Sequence, residues 1–287
     1  MKVLFLVLDA VSPRDIFNTN HKNWKRIPKI ITKWPHGDLQ SEMMTISSWN
    51  AFLTGNNRTD NNESVPWSHE HFVGKKPWEL TKGKSLIFGV PTIGPFVEDI
   101  NGVIAGGALF GDPMDIVRPD SLAKKFKENK YFYMDILESM NVDRIDEILE
   151  SVKGCRKLLK EILDKNDFEL SIISFTHTDA TMHMRAQHKW HRVVSRKRLN
   201  KLCDDVVKGV DKTAEWIINN VDYDHLILCS DHGGNYEVDV ESMTHDTHEK
   251  IGFWAVKSKE KLFDKENVDC FDIYKAISHL MKWRTNE

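Results

Sequence analysis

Apolar and polar residues change period repeatedly along the chain. Five stretches are apolar almost throughout: KVLFLVLD (2–9), KSLIFGV (84–90), FELSIISFT (168–176), DHLILCSD (224–231) and IGFWAVK (251–257). Short runs without a polar residue at every second position predict strands buried on both faces, as in a mainly parallel sheet. Elsewhere apolar residues recur every three or four positions, which predicts helices. These are SSWNAFLTG (47–55), RIDEILESVKGCRKLLKEILDK (144–165), KRLNKLCDDVVKGVDKTAEWIINNV (197–221) and FDIYKAISHLMKW (271–283). The first begins on serine and stops on glycine, as helices do. Strands alternating with helices predict an α/β fold, a doubly wound, mainly parallel sheet with helices on both faces. The stretch 101–142 follows neither period. It predicts a small cap or lid on what is otherwise a single domain over 1–287.

Composition changes this picture little. A hydrophobic content of 40% supports a sizeable core, and a net charge of −3 with 29% charged residues is ordinary. Charge gives no reason to expect a nucleic-acid or membrane partner, and no run approaches the roughly 20 apolar residues of a membrane span. Cys155, Cys203, Cys229 and Cys270 are far apart and form no CxxC. They read as free thiols in a reducing, cytoplasmic compartment. The start, MKVLFLVLDA, has one lysine and an apolar run that ends at Asp9. That run is only about seven residues long, the lower limit for a signal peptide. A buried strand ending in a carboxylate is the better reading. The glycosylation patterns at Asn57-Arg58-Thr59 and Asn62-Glu63-Ser64 are then chance.

The chemistry lies at the ends of the apolar runs. Asp9 follows the first. HTDATMH follows the third and supplies Asp179 and His183. SDHGG follows the fourth and supplies Asp231 and His232. His245 and His248 come just before the last. In open α/β sheets ligands sit beyond the carboxyl ends of the strands. A lone Asp-His pair is usually a solvated turn, and a strand-end Asp is often a helix cap. Three Asp/His elements in matching positions point instead to a metal centre. Asp179 and His183, four apart, share one helix face. Gly233 and Gly234 permit the tight turn that lets Asp231 and His232 reach one ion. Carboxylate and imidazole donors suit zinc and also manganese. This many ligands would hold two ions, the usual device for in-line phosphoryl displacement. A nucleophile would sit in MMTISSWNAFLTG (43–55), at a helix N-terminus that favours a phosphoryl group. Thr45, Ser47 and Ser48 compete for that role.

The motifs LVLDA, TISSWNAFLTG, HTDATMH, LILCSDHGG and HDTHEKIGFW, in this order over nearly the whole chain, resemble the alkaline phosphatase superfamily. More narrowly they resemble the type I phosphodiesterase/nucleotide pyrophosphatase group and its microbial phosphohydrolase relatives. The resemblance implies one metal on Asp9, Thr45, Asp231 and His232. It implies a second on Asp179, His183 and a late histidine, His248 in preference to His245. It selects Thr45 as nucleophile, nine residues before Thr54, with a phosphothreonine intermediate. The substrate it implies is a small phosphorylated compound, with a nucleotide as one candidate. Two departures stand out. Asp9-Ala10 replaces the family's Asp-Gly, and no His-Gly pair follows Thr54-Gly55. Asn61 or Asn62 would take the place of the family's phosphate-contacting asparagine. The basic segment 185–198 reads first as a solvated helix face; bordering the site, its Trp190 would stack on a base. The rival readings are a phosphomutase of the same superfamily and a binding protein without catalysis. No Cys-x-Pro-x-Arg segment of the sulfatase type is present.

Overall fold

The computed structural model describes residues 1–18, 20–41, 45–56, 74–93, 100–106, 117–128, 145–187, 195–234, 248–264 and 267–282. The strands are β1 (Val3–Leu8), β2 (His36–Gln40), β3 (Ser85–Phe88), β4 (Gly102–Ala105), β5 (Leu170–Phe175), β6 (His225–Cys229), β7 (Gly233–Gly234), β8 (His248–Glu249), β9 (Ile251–Lys257) and β10 (Val268–Asp269). The helices are α1 (Pro13–Ile16), α2 (Ile27–Ile31), α3 (Thr45–Thr54), α4 (Asp120–Glu128), α5 (Ile145–Leu163), α6 (His177–Gln187), α7 (Arg196–Asn220) and α8 (Cys270–Lys282). Among the described residues no helix is long and apolar enough to cross a membrane.

One sheet runs in the order β10-β2-β9-β6-β1-β5-β3-β4. Every neighbouring pair is parallel except those made by β9, which is antiparallel to both β2 and β6. β1 lies at the centre and is buried along its whole length. Successive side chains of a strand point to opposite faces. Leu4, Leu6 and Leu8 therefore enter one core with α5 and α7, while Val3, Phe5 and Val7 enter the other with α3 and α8. The mainly parallel, doubly wound sheet is as the periodicity predicts. All four cysteines are free and buried.

The structure adds elements the pattern does not show. In β2, HGDLQ, only Leu39 is buried, so the strand carries no apolar signal and exists through its pairing with β9. Within 101–142, Gly102–Ala105 is not part of a cap but the edge strand beside β3, and Asp120–Glu128 is a helix. Residues 107–116 and 129–144 lie outside the described residues. Helix α3 begins at Thr45, two residues before the expected serine start. It is buried at nearly every position, so its ends are set by packing against α8. It stops at Gly55, whose φ of 67° is the left-handed terminus that glycine tolerates.

Candidate metal centre

The parallel strands bring the acids together by register. Leu8 pairs with Phe175 and Val7 with Cys229. The residues just beyond, Asp9, the start of α6, and Asp231-His232, therefore leave the sheet side by side. The Asp9 amide donates to the Phe175 carbonyl (3.1 Å), and the Thr178 hydroxyl donates to the Asp9 carbonyl. Thr45 arrives at the same edge because β2 also points its carboxyl end there. His248 arrives for the opposite reason. β9 runs antiparallel, so its amino end meets the carboxyl ends of the others.

A small pairing fixes His248. Gly234 pairs with His248 and Gly233 with Glu249. Neither glycine has room for a side chain. A Cβ on Gly234 would lie 2.5 Å from the Ala10 carbonyl oxygen and 2.8 Å from Met182 Sδ. A Cβ on Gly233 would lie 2.4 Å from the Ile251 carbonyl oxygen. The expected role of the glycines was a tight turn; their role here is close backbone approach.

Two groups of donors converge. One atom each of Asp179, His183 and His248 lies within 4.8 Å of the others, and so does one each of Asp9, Asp179 and His232. His248 Nε2 is 3.3 Å from Asp179 Oδ1 and 3.1 Å from His183 Nε2; His183 Nε2 is 3.4 Å from Asp179 Oδ2. His232 Nε2 is 3.3 Å from Asp9 Oδ1, 3.7 Å from Asp231 Oδ2 and 3.0 Å from Thr45 Oγ1. Asp179 belongs to both groups, where the resemblance implies it for one only.

The chemistry of the donors fits divalent cations. Asp9, Asp231 and His232 are fully buried, and Asp179 nearly so. Among the described residues, neither oxygen of Asp9 nor of Asp231 has a hydrogen-bond donor. Buried carboxylates without donors or counter-charges are costly, and bound cations remove that cost. Burial pushes Asp9 well above the usual carboxylate range, and the carboxylates of Asp231 and Asp179 push it the same way. For Asp179, burial alone would act upward, but the imidazoles of His183, His248 and His232 hold it below its usual value. The tautomer of His232 is set by its Nδ1, 3.0 Å from the Gly233 carbonyl. Nδ1 must donate there, which leaves the Nε2 lone pair facing the cluster, as a metal ligand requires.

Of the expected site residues, the structure brings together Asp9, Thr45, Asp179, His183, Asp231, His232 and His248. His245, Asn61, Asn62 and Trp190 lie outside the described residues. Ser48 is fully buried, one turn along α3, and Thr45 is the hydroxyl that meets His232. Three supporting residues carry no sequence signal. Ser230 Oγ accepts from the Val11 amide (2.8 Å) and donates to the His232 carbonyl (2.6 Å). Thr178 holds the Asp9 carbonyl. Arg14 Nη2 donates to the Gly234 carbonyl (3.1 Å) and pairs with Glu249 (3.0 Å). His177, which opens α6, turns away from the cluster and meets Ser151 Oγ at 3.0 Å.

The chain has an alkaline-phosphatase-like α/β fold. The chain is similar to the alkaline phosphatase of the Antarctic bacterium TAB5, with a TM-score of 0.54, 12% identity and 98% of each chain covered. It is similar to the membrane-integral lipooligosaccharide phosphoethanolamine transferase A of Neisseria meningitidis, with a TM-score of 0.55 and 12% identity. That match covers 98% of this chain and 54% of the transferase. It is also similar to the Streptococcus pyogenes phosphoglycerol transferase GacH, with a TM-score of 0.54, 12% identity, and 98% and 75% of the two chains covered. No family model and no curated protein matches the chain.

Proposed function

We propose that the chain is a two-metal phosphoesterase of the phosphodiesterase type, acting through Thr45. The observation that carries this is the hydroxyl of Thr45. It stands at the first residue of α3, 3.0 Å from the Nε2 of a fully buried histidine, beside carboxylates that lack donors. Asp9, Asp231, His232 and Thr45 would hold one ion, and Asp179, His183 and His248 the other, with zinc and manganese both suited to these donors. When bound, such ions supply positive charge for the phosphoryl oxygens and make a hydroxyl nucleophilic at neutral pH.

The chain's own residues do the rest. His232 Nε2 and Thr45 Oγ1 lie 3.0 Å apart and would both face the same ion, which places the hydroxyl beside it. Thr45 gives its hydroxyl proton to solvent, Oγ1 attacks phosphorus in line, the bond to the leaving oxygen breaks, and a phosphothreonine forms. The N-terminal end of α3 favours the negative phosphoryl oxygens there. Water then attacks the same phosphorus, and Thr45 is released. The resemblance of the motifs to nucleotide pyrophosphatases supports a nucleotide-bearing diester. The likeness to two transferases supports one other reading, in which an alcohol replaces water in the second step. A mutase would be a special case of that reading.

The test is turnover of a chromogenic phosphodiester and the matching monoester with zinc, manganese or chelator. Chelator-sensitive hydrolysis is expected, faster on the diester, lost in Asp231→Ala and lowered roughly 10³-fold or more in Thr45→Ala. Full turnover by Thr45→Ala would overturn the nucleophile. Turnover that appears only when an alcohol is added would favour the transferase.

A further inference from the structure

We propose that Arg14 is a positioning residue for His248, and that its bonds to the β7–β8 ribbon govern how tightly the second ion is held while leaving the first unaffected. The inference rests on the two-metal reading above.

The two donor groups are built differently. Asp9, Asp231 and His232 follow β1 and β6, which pair with each other in the middle of the sheet, and all three are fully buried. Asp179 and His183 stand on α6. His248 stands on β8, a strand of two residues whose partner, β7, also has two. Among the described residues this ribbon gains no further strand. Even a longer two-stranded ribbon is marginal by itself in water. On its carboxyl side the ribbon is anchored at Lys250, whose carbonyl accepts the Ser41 amide at 2.8 Å. His248 lies two residues beyond that anchor.

Arg14 ties the two strands together. Its Nη2 donates to the carbonyl of Gly234, the residue opposite His248, at 3.1 Å, and lies 3.0 Å from Glu249 Oε1. One guanidinium nitrogen thus joins a carbonyl on β7 to the carboxylate next to His248 on β8. Neither partner belongs to the two donor groups, so Arg14 acts on the site through the ribbon. Its own support is firm. Its neighbours Asp15 and Ile16 are buried in α1, and the Ser12 hydroxyl donates to Asp15 Oδ2 at 2.7 Å. Phe17, which ends α1, packs edge-on against Phe253 of β9, with ring centroids 6.1 Å apart.

What the ribbon places is exacting. The His248 ring lies against His232 and His183, with centroids 4.2 and 5.1 Å away, and its Nε2 meets Asp179 and His183 at 3.3 and 3.1 Å. A metal–imidazole bond tolerates only about 0.2 Å of displacement. Residues that orient a ligand without touching the ion typically change affinity about 10- to 100-fold. The second ion depends on His248, whereas the first draws its donors from the ends of β1 and β6 and from α3. Loss of Arg14 therefore acts on one ion.

The experiment is calorimetric titration of zinc into the full chain prepared free of metal with chelator. The parent should bind two ions. Arg14→Ala should bind the first as the parent does and the second about 10- to 100-fold more weakly. Arg14→Lys, which keeps a charge for Glu249 but not the guanidinium fork, should lie between. In chelator Arg14→Ala should melt within about 3 °C of the parent, because a half-exposed ion pair contributes little to stability. Raising zinc should return its turnover of a small chromogenic diester toward the parent kcat at unchanged KM. Equal weakening of both ions, or of neither, would overturn the inference. So would a KM raised at every zinc concentration, the mark of a residue that contacts substrate. A parent that binds fewer than two ions would instead overturn the two-metal reading itself, which keeps the two failures apart.

Discussion

Ala10 holds its backbone at φ 56°, the left-handed region that a Cβ disfavours. The chain must turn there at once, because Asp9 closes β1 and its carboxylate enters the Asp/His cluster. Ala10→Gly is therefore expected to raise stability by about 1 kcal/mol in urea unfolding, with the site unchanged. Ala10→Val should lower it by more than that. The neighbour across the turn has the opposite constraint. Gly234→Ala would set a methyl 2.5 Å from the Ala10 carbonyl oxygen, against backbone that cannot step aside. A loss of about 1–3 kcal/mol is expected. Diester turnover should fall with it, because the β7–β8 pairing positions His248. An unchanged melting temperature would contradict this reading.

At the scale of elements, one reversed strand matters most. If β9 ran parallel to β6, its amino end and His248 would lie at the far edge of the sheet. The hydrophobic run IGFWAVK looks the same in either direction, so its periodicity cannot show this. One carboxylate holds the backbone at the start of α2. Asp211 on α7 accepts three backbone N–H groups around the start of α2, at 3.0 to 3.2 Å. Asp211→Ala would leave those donors without partners, and a loss of about 2 kcal/mol in chemical denaturation is expected. Small-diester turnover should persist, since neither Asp211 nor α2 supplies a member of the Asp/His cluster.

At the scale of the whole molecule, three strands deliver three carboxylates to one buried place. Without cations that arrangement opposes folding, and bound cations should stabilise the fold by mass action. At a hundredfold excess over Kd the gain is about 2.7 kcal/mol, or roughly 5 °C or more in melting temperature. Asp9→Asn should melt no lower than the parent in chelator, because it removes one buried charge, and should lose much of the rise on adding zinc or manganese. A parent whose melting does not respond to either ion would argue against the metal centre.

Much of this was legible in the chain order. The buried strands show in uninterrupted apolar runs, because a strand covered on both faces leaves no polar position. The candidate metal donors show because strand ends meet at one edge in any parallel sheet, so Asp9, Asp179, His183, Asp231 and His232 could be grouped before any distance was known. β2 could not be read, since one buried leucine in five residues carries no period. Nor could the supporting bonds of Ser230, Thr178 and Arg14, whose partners lie far off in sequence or in the backbone. The lysines that line one cavity of about 660 Å³ between α2 and α7 come from segments more than 170 positions apart and average out in a net charge of −3. Sequence alone determined which residues have the chemistry and at which edge they would lie, because covalent order and hydrophobic period are local properties. Only the tertiary structure decided that Asp179 serves both groups, that His248 is delivered by an antiparallel strand, and that scattered lysines form one surface, because those depend on strand direction and on contacts across the fold.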